Sequence, residues 1–470
     1  MSVDLTKKST QVDLAHGDYA AMRSAIQGNI LKPHGREHQR LMVIEFTAAA
    51  NLVKDWIRNT VVPVVTTGEK QRLDGVSRAA NNAFDGGSFT TFHLSADGYR
   101  HLQLDVSGFS GKSFRRGMKI QKDGIFDDIL EKGNNDPKPN AWEAAYRRPV
   151  HALLAIADSS AAKAQAAAAA ITASLAGIGT VLVTEAGRVL ETADGKKREH
   201  FGYEDGISNP TFEGGGQAEW DGGASLNLAL VPDPLAPVGA VDALGSYFVF
   251  RKLRQDNQSF NDRVAALSTS LAMNPDLAAA LAVGRFKDGT PVVGSDHAVG
   301  GSPNNNFNFD EDNGGHRCPA HAHIRKANPR GTTPGTSLEE ERGRRIVRRG
   351  IPYGKPDFAI VDPAWIDPSP AADRGLLFMC YQARIERQFE FIQRTWVDNP
   401  NFPKPLIPNP FTKDTGDDPL IGQDSMEGQR WPLKWDDRNA GKKKFNFEAA
   451  VTLKGGEYFF APSLPFLQSL

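Results

Sequence analysis

The strongest constraint on the fold is an alternation of segment types that occurs twice along 470 residues. "RLMVIEF" (40–46) alternates as a strand does, and "NLVKDWIRNTVV" (51–62) carries its apolar residues at helical spacing. "FTTFHLS" (89–95) then returns to strand. "HALLAIA" (151–157) reads as a strand and "AAKAQAAAAAITASLAG" (161–177) as an Ala-rich helix ended by glycine. "TVLVTEAGRVL" (180–190) reads as a further strand. The second half repeats the order. "GSYFVFRKLRQ" (245–255) precedes a helical "SFNDRVAALSTSLAM", and "GLLFMCYQA" (375–383) precedes an amphipathic "RIERQFEFIQRTWV" (384–397). Strand–helix–strand units with intervening strands predict two α+β sandwiches of split-βαβ type, each an antiparallel sheet with helices on one face. The Gly/Pro-rich tract 213–239 is the expected crossing between them, and the Asn/Gly-rich tract 294–319 is expected to be a long loop.

A chain of this length exceeds one ordinary core, which agrees with two modules and leaves room for a large cavity. With 55 basic and 56 acidic residues, no global field recruits nucleic acid or an anionic membrane. No apolar run reaches the ~18 residues needed to cross a bilayer. The first residues lack a basic region followed by an apolar block, so a cytoplasmic protein is expected. Two cysteines, Cys318 and Cys380, are too few for a disulfide framework.

Three stretches carry chemistry. In "HFGYEDGISNP" (200–210) Asp205 stands between glycines. The pair Asp-Gly suits a tight turn, and Gly202 and Gly206 would equally let an acid approach a flat ligand. "GGHRCPAHAHIRKANPR" (314–330) gathers His316, His321, His323 and Cys318, a density that suggests a metal. Zinc would require a second ligand pair at short spacing, and none follows. A haem asks for one axial histidine, an apolar cavity and cations for its propionates. His323, Ile324, Arg325, Lys326 and Arg330 supply that combination, although a solvated basic loop would read the same way. In "RRIVRRGIPYG" (344–354) paired arginines could stabilise developing charge or line a basic surface strand.

Together these stretches resemble one family. "GYEDGISNP" looks like the Gly-x-x-Asp-Gly motif of the dye-decolorizing peroxidases, "AHIRKANPR" like their proximal-histidine segment and "IVRRGIPYG" like their distal-arginine segment. The likeness extends to "IQGNILKPHGREHQRLMVIEF" (26–46) and "GGEYFFAPSLPFLQSL" (455–470), in the family's order, and the length resembles the larger subclass. It implies two ferredoxin-like modules, 1–215 and 216–470, with haem b held mainly by the second. It implies Asp205 as distal acid/base, His323 as axial iron ligand and Arg348, placed after "IV", as distal arginine. Leu376 and Phe378 fall where the family lines its pocket, and Arg325 is the expected propionate partner from its closeness to His323.

The implied reaction reduces hydrogen peroxide through a ferryl intermediate and oxidises dyes, phenols or other bulky reductants, with Mn²⁺ left open as a further reductant. The alternative is a haem-binding or iron-handling protein with incidental turnover, which would need neither Asp205 nor Arg348. A zinc or metal-free binding module of the same fold is a third reading. Glu386 and Glu390, four apart on one helix face, are candidate carboxylates behind the histidine, though such residues more often solvate a helix. Oligomeric state and the electron-relaying aromatics are not legible.

Overall fold

The computed structural model describes residues 3–11, 13–81, 85–119, 136–212, 220, 222–301, 304–361, 373–403, 415–423 and 428–470. In the first half the four long strands are His38–Phe46, Phe89–Ser95, Ala152–Asp158 and Gly179–Arg188. They lie in the order Phe89, Ala152, His38, Gly179, all antiparallel, which is the ferredoxin-like arrangement. The crossover helix Ala161–Ser174 is capped by Ser160, whose side chain accepts from Lys163 N–H. It turns Ala164, Ala168 and Ile171 inward at helical spacing, and alanine lets it sit close against the strands.

The second half repeats the permutation. Val451–Ala461, Leu244–Gln255 and Gly375–Gln382 lie side by side, followed by the short Val347–Arg348 and Ile351–Tyr353. Val451–Ala461 carries no clear alternation in sequence because nearly all of it is buried on both faces. The segment 384–397 begins as helix at Phe389–Phe391 and continues as a wider π-type coil through Ile392–Val397.

The two sheets meet at both ends. Phe459 and Phe460 pair with Ser95 and Leu94, and Tyr353 pairs with Gly187. With the Leu244 and Gly375 strands also paired, the ladder closes into a circuit. One apolar core runs through both sheets, which is why strands such as Ala152–Asp158 are buried along their whole length. A second core, around Phe201, Phe260, Leu281, Trp431 and Phe447, packs outside the second sheet. Within it, Gly284 ends the helix Pro275–Val283 at φ 95°, where an added Cβ would lie 2.3 Å from Ile324. Glycine is required there for the helix to end against the residue that follows His323.

Candidate functional site

A cavity of about 300 Å³ opens between this second core and the Gly375 strand. Asp205, His323, Arg348, Leu376 and Phe378 all line it, so five of the six sequence candidates converge although they are far apart in the chain. Val283, Phe286, Leu253 and Leu420 make much of the remaining wall apolar.

Asp205 is presented by a loop whose shape depends on Gly202 at φ 90° and Gly206 at φ 86°. Half-buried Glu199 accepts the backbone N–H groups of Phe201 and Tyr203 at 2.9 Å each, and Asp205 N–H donates to Lys197 O. The loop is therefore both a turn and a mount for a carboxylate. Arg348 Nη1 lies 3.4 Å from Asp205 Oδ1, each side chain 35% exposed. An ion pair this open contributes at most about 1 kcal/mol to stability, so it is better understood as two poised charges than as a brace. Arg348 N–H donates to Asn209 Oδ1, which ties the arginine strand to the end of the aspartate motif. Its neighbour Arg349 serves another purpose. Buried, it donates to the carbonyls of Asn29, Ile30 and Arg348.

His323 opens the short helix His323–Ala327. Its Nδ1 lies 2.8 Å from Oδ2 of Asp418, a fully buried residue whose Oδ1 accepts N–H from Leu420 and Ile421 at 2.8 and 3.1 Å. A carboxylate only accepts, so Nδ1 carries the proton and Nε2 keeps a lone pair for a metal. The acid behind the histidine is thus Asp418, which sequence reasoning missed. Glu386 and Glu390 are engaged elsewhere: Glu386 accepts Ser113 N–H, and Glu390 accepts the hydroxyls of Ser113 and Tyr458. His321 is buried edge-on against Trp431 with Nδ1 near Thr415 O, so it does not converge with His323.

Arg325 requires a correction. It is absent from the cavity wall, and its guanidinium donates inward to Asp312 and to the carbonyls of Cys318 and Asp312. Two residues along the helix from His323, its side chain is turned away from the cavity. The cations that do line the cavity include Arg330 and Arg285, which share Asn305 Oδ1 at 2.6 and 2.9 Å and both lie over Phe307. Their hydrogen-bond acceptors are neutral carbonyl, amide and hydroxyl oxygens, and neither forms an ion pair among the described residues. Burial, and then the charge of Arg285, pushes Arg330 down to about 8, while burial, and then the charge of Arg348, pushes Arg285 down to about 10. Two buried guanidiniums without a carboxylate suit a dianionic ligand edge. With a free histidine lone pair and apolar walls, the cavity fits a haem and its propionates.

One apolar cavity on paired ferredoxin-like sheets is thus faced by an acid–arginine pair and an acid-backed histidine, a site with the makings of proton-transfer chemistry beside a metal-binding group. Residues 196–404 match the family model for the Dyp-type peroxidase C-terminal region. The chain is 36% identical over 479 residues to the multifunctional dye peroxidase DyP2 of Amycolatopsis sp. (strain ATCC 39116 / 75iv2), covering 97% of each. It is 32% identical to Peroxidase 2 of Mycetinis scorodonius, covering 94% of this chain and 86% of that one. The crystal structure of an Anabaena sp. DyP-type peroxidase superposes with a TM-score of 0.86 at 36% identity, covering 99% of this chain and 98% of that chain. The chain belongs to the dye-decolorizing peroxidase family and is a peroxidase. No helix among the described residues is long and apolar enough to cross a membrane.

Proposed function

We propose that the chain binds haem b in this cavity and reduces hydrogen peroxide at the expense of an organic reductant such as a dye. The observation that carries the proposal is the lining of one cavity by both the Asp205–Arg348 pair and the Asp418-backed His323. When bound, the haem supplies the iron at which the peroxide O–O bond breaks and which stores the oxidising equivalents. His323 Nε2 is the proposed iron ligand, with Asp418 holding the ring in the required tautomer. Arg330 and Arg285 meet the propionates, an assignment that replaces Arg325. Most of these contacts fall in the proposed second module, 216–470, whereas Asp205 comes from the first, 1–215.

Asp205 accepts the proton from the inner peroxide oxygen on a carboxylate oxygen and returns it to the outer oxygen, which leaves as water. Arg348, 3.4 Å away, keeps positive charge beside that bond while negative charge develops. Leu376 and Phe378 place apolar side chains at the cavity wall and limit competing water. Asp205→Asn keeps the shape and removes the base. The haem-loaded variant is expected to keep its ferric spectrum and to react with peroxide about 10²–10⁴-fold more slowly in stopped flow. Reaction at the parent rate would remove Asp205 from the mechanism.

A further inference from the structure

A second polar pair lies where the two sheets face each other. His93 is on strand Phe89–Ser95 of the first sheet and Tyr381 on strand Gly375–Gln382 of the second, and both are fully buried. His93 Nε2 is 3.0 Å from the Tyr381 hydroxyl, and His93 Nδ1 is 3.3 Å from Leu153 O. A carbonyl oxygen only accepts, so Nδ1 carries the proton, Nε2 is the lone-pair nitrogen, and the tyrosine O–H donates to it. Asn29 and Thr91 side chains hydrogen-bond to the same phenol. The Phe248 ring stacks on the imidazole at 4.2 Å and lies 4.8 Å from the tyrosine ring. Burial pushes His93 down to about 3, so the imidazole is a neutral base at rest.

Packing alone does not call for this pair, because apolar residues at both positions would leave no polar group to satisfy. Redox chemistry does. Removing one electron from a phenol makes its O–H strongly acidic, so a buried tyrosine is oxidised readily only when a base in hydrogen-bond contact takes the proton. Tyr381 shares the strand that lines the cavity: it lies three residues beyond the cavity residue Phe378, roughly 10 Å along the strand and on its opposite face. Its register partner is Val347, next to Arg348.

We propose that Tyr381 is a one-electron donor to the haem site and that His93 is the acceptor of its phenolic proton. The inference rests on the haem reading above. Tyr381 gives one electron to the haem oxidised by peroxide, and its O–H proton passes to His93 Nε2, leaving a neutral phenoxyl radical and an imidazolium. One electron from the organic reductant of turnover, with return of the same proton, restores the pair. Full burial keeps the radical away from solvent and gives the enzyme a place to hold an oxidising equivalent when reductant is scarce.

The test uses the full-length haem-loaded protein, frozen after mixing with one equivalent of peroxide and examined by electron paramagnetic resonance. The Soret band of the same sample is recorded before and after mixing. A sample with no ferric Soret band, or none that responds, refutes the haem reading and with it this inference. Where the Soret band responds, a tyrosyl signal is expected whose couplings collapse with ring-deuterated tyrosine and whose high-field spectrum shows the lowered largest g value of a hydrogen-bonded phenoxyl. Tyr381→Phe and, separately, His93→Phe are expected to lose that signal while the Soret response remains. Survival of the signal in Tyr381→Phe overturns the proposal alone. Should neither variant fold, the parent spectrum decides, because a responding Soret band with no tyrosyl signal, or with one lacking the hydrogen-bond signature, also overturns it.

Discussion

Replacing Asp418 by asparagine separates the charge behind His323 from its shape. In the parent, Oδ1 accepts Leu420 and Ile421 N–H at 2.8 and 3.1 Å, while Oδ2 accepts His323 Nδ1–H at 2.8 Å. Asparagine would keep the two backbone bonds with its carbonyl oxygen and turn its NH₂ toward Nδ1. A donor cannot face a donor, so the imidazole must adopt the other tautomer, with its proton on Nε2. That proton occupies the lone pair through which a metal would bind. Loss of such an outer partner typically costs ~10–100-fold in metal affinity, or ~1.4–2.7 kcal/mol. Asp418 is fully buried, so water cannot take over its role, and the upper part of the range is expected. Haem titrated into the apo variant and followed at the Soret band measures the change, with apo thermal unfolding as the control for folding. The iron–histidine stretching frequency of the ferrous form should also fall. Parent affinity with an unshifted stretch would refute both the tautomer argument and His323 as ligand.

Arg330→Leu removes one of the two buried guanidiniums at Asn305. A lost charge-assisted contact of ~1.5–3 kcal/mol should raise the haem dissociation constant ~10–100-fold in the same titration. An unchanged constant would move the propionates elsewhere. Asp398 is pushed up to about 7 by burial, with Gln423 N–H and Gln393 Nε2 as its donors. A raised acid favours the fold while protonated, so its contribution is complete below about pH 4 and is lost as pH rises to about 7, at up to ~1.4 kcal/mol per unit. Asp398→Asn stays neutral throughout. Its thermal midpoint relative to the parent should therefore climb across that window, and a flat difference would show that Asp398 is ionised in the fold at all these pH values.

Much of the fold was readable because strand and helix periods are local. "RLMVIEF" and "HALLAIA" became antiparallel neighbours, and Ala164, Ala168 and Ile171 became the inner face of their helix. The split-βαβ order followed from the succession of those segments, and the closing of the two sheets at both edges did not, since single pairings such as Tyr353 with Gly187 leave no periodic trace. Arg348 and Arg349 illustrate the limit at the site. Successive strand residues point to opposite faces, so one of the two had to leave the cavity, and only the packing of Asn29 and Ile30 shows that it is Arg349. Closeness in sequence misled for Arg325, because on a helix two residues of separation turns a side chain to another side.

By itself the sequence determined two α+β modules of one family and the residue types the chemistry needs: an acid between glycines, a histidine followed by cations, and an arginine after "IV". Only the tertiary structure decided which of them meet. Asp418 stands 95 residues from His323, and Asp205 stands 143 residues from Arg348. Contacts at such separation are set by how whole sheets and loops pack, a global balance of burial and chain entropy that no local pattern of side chains records.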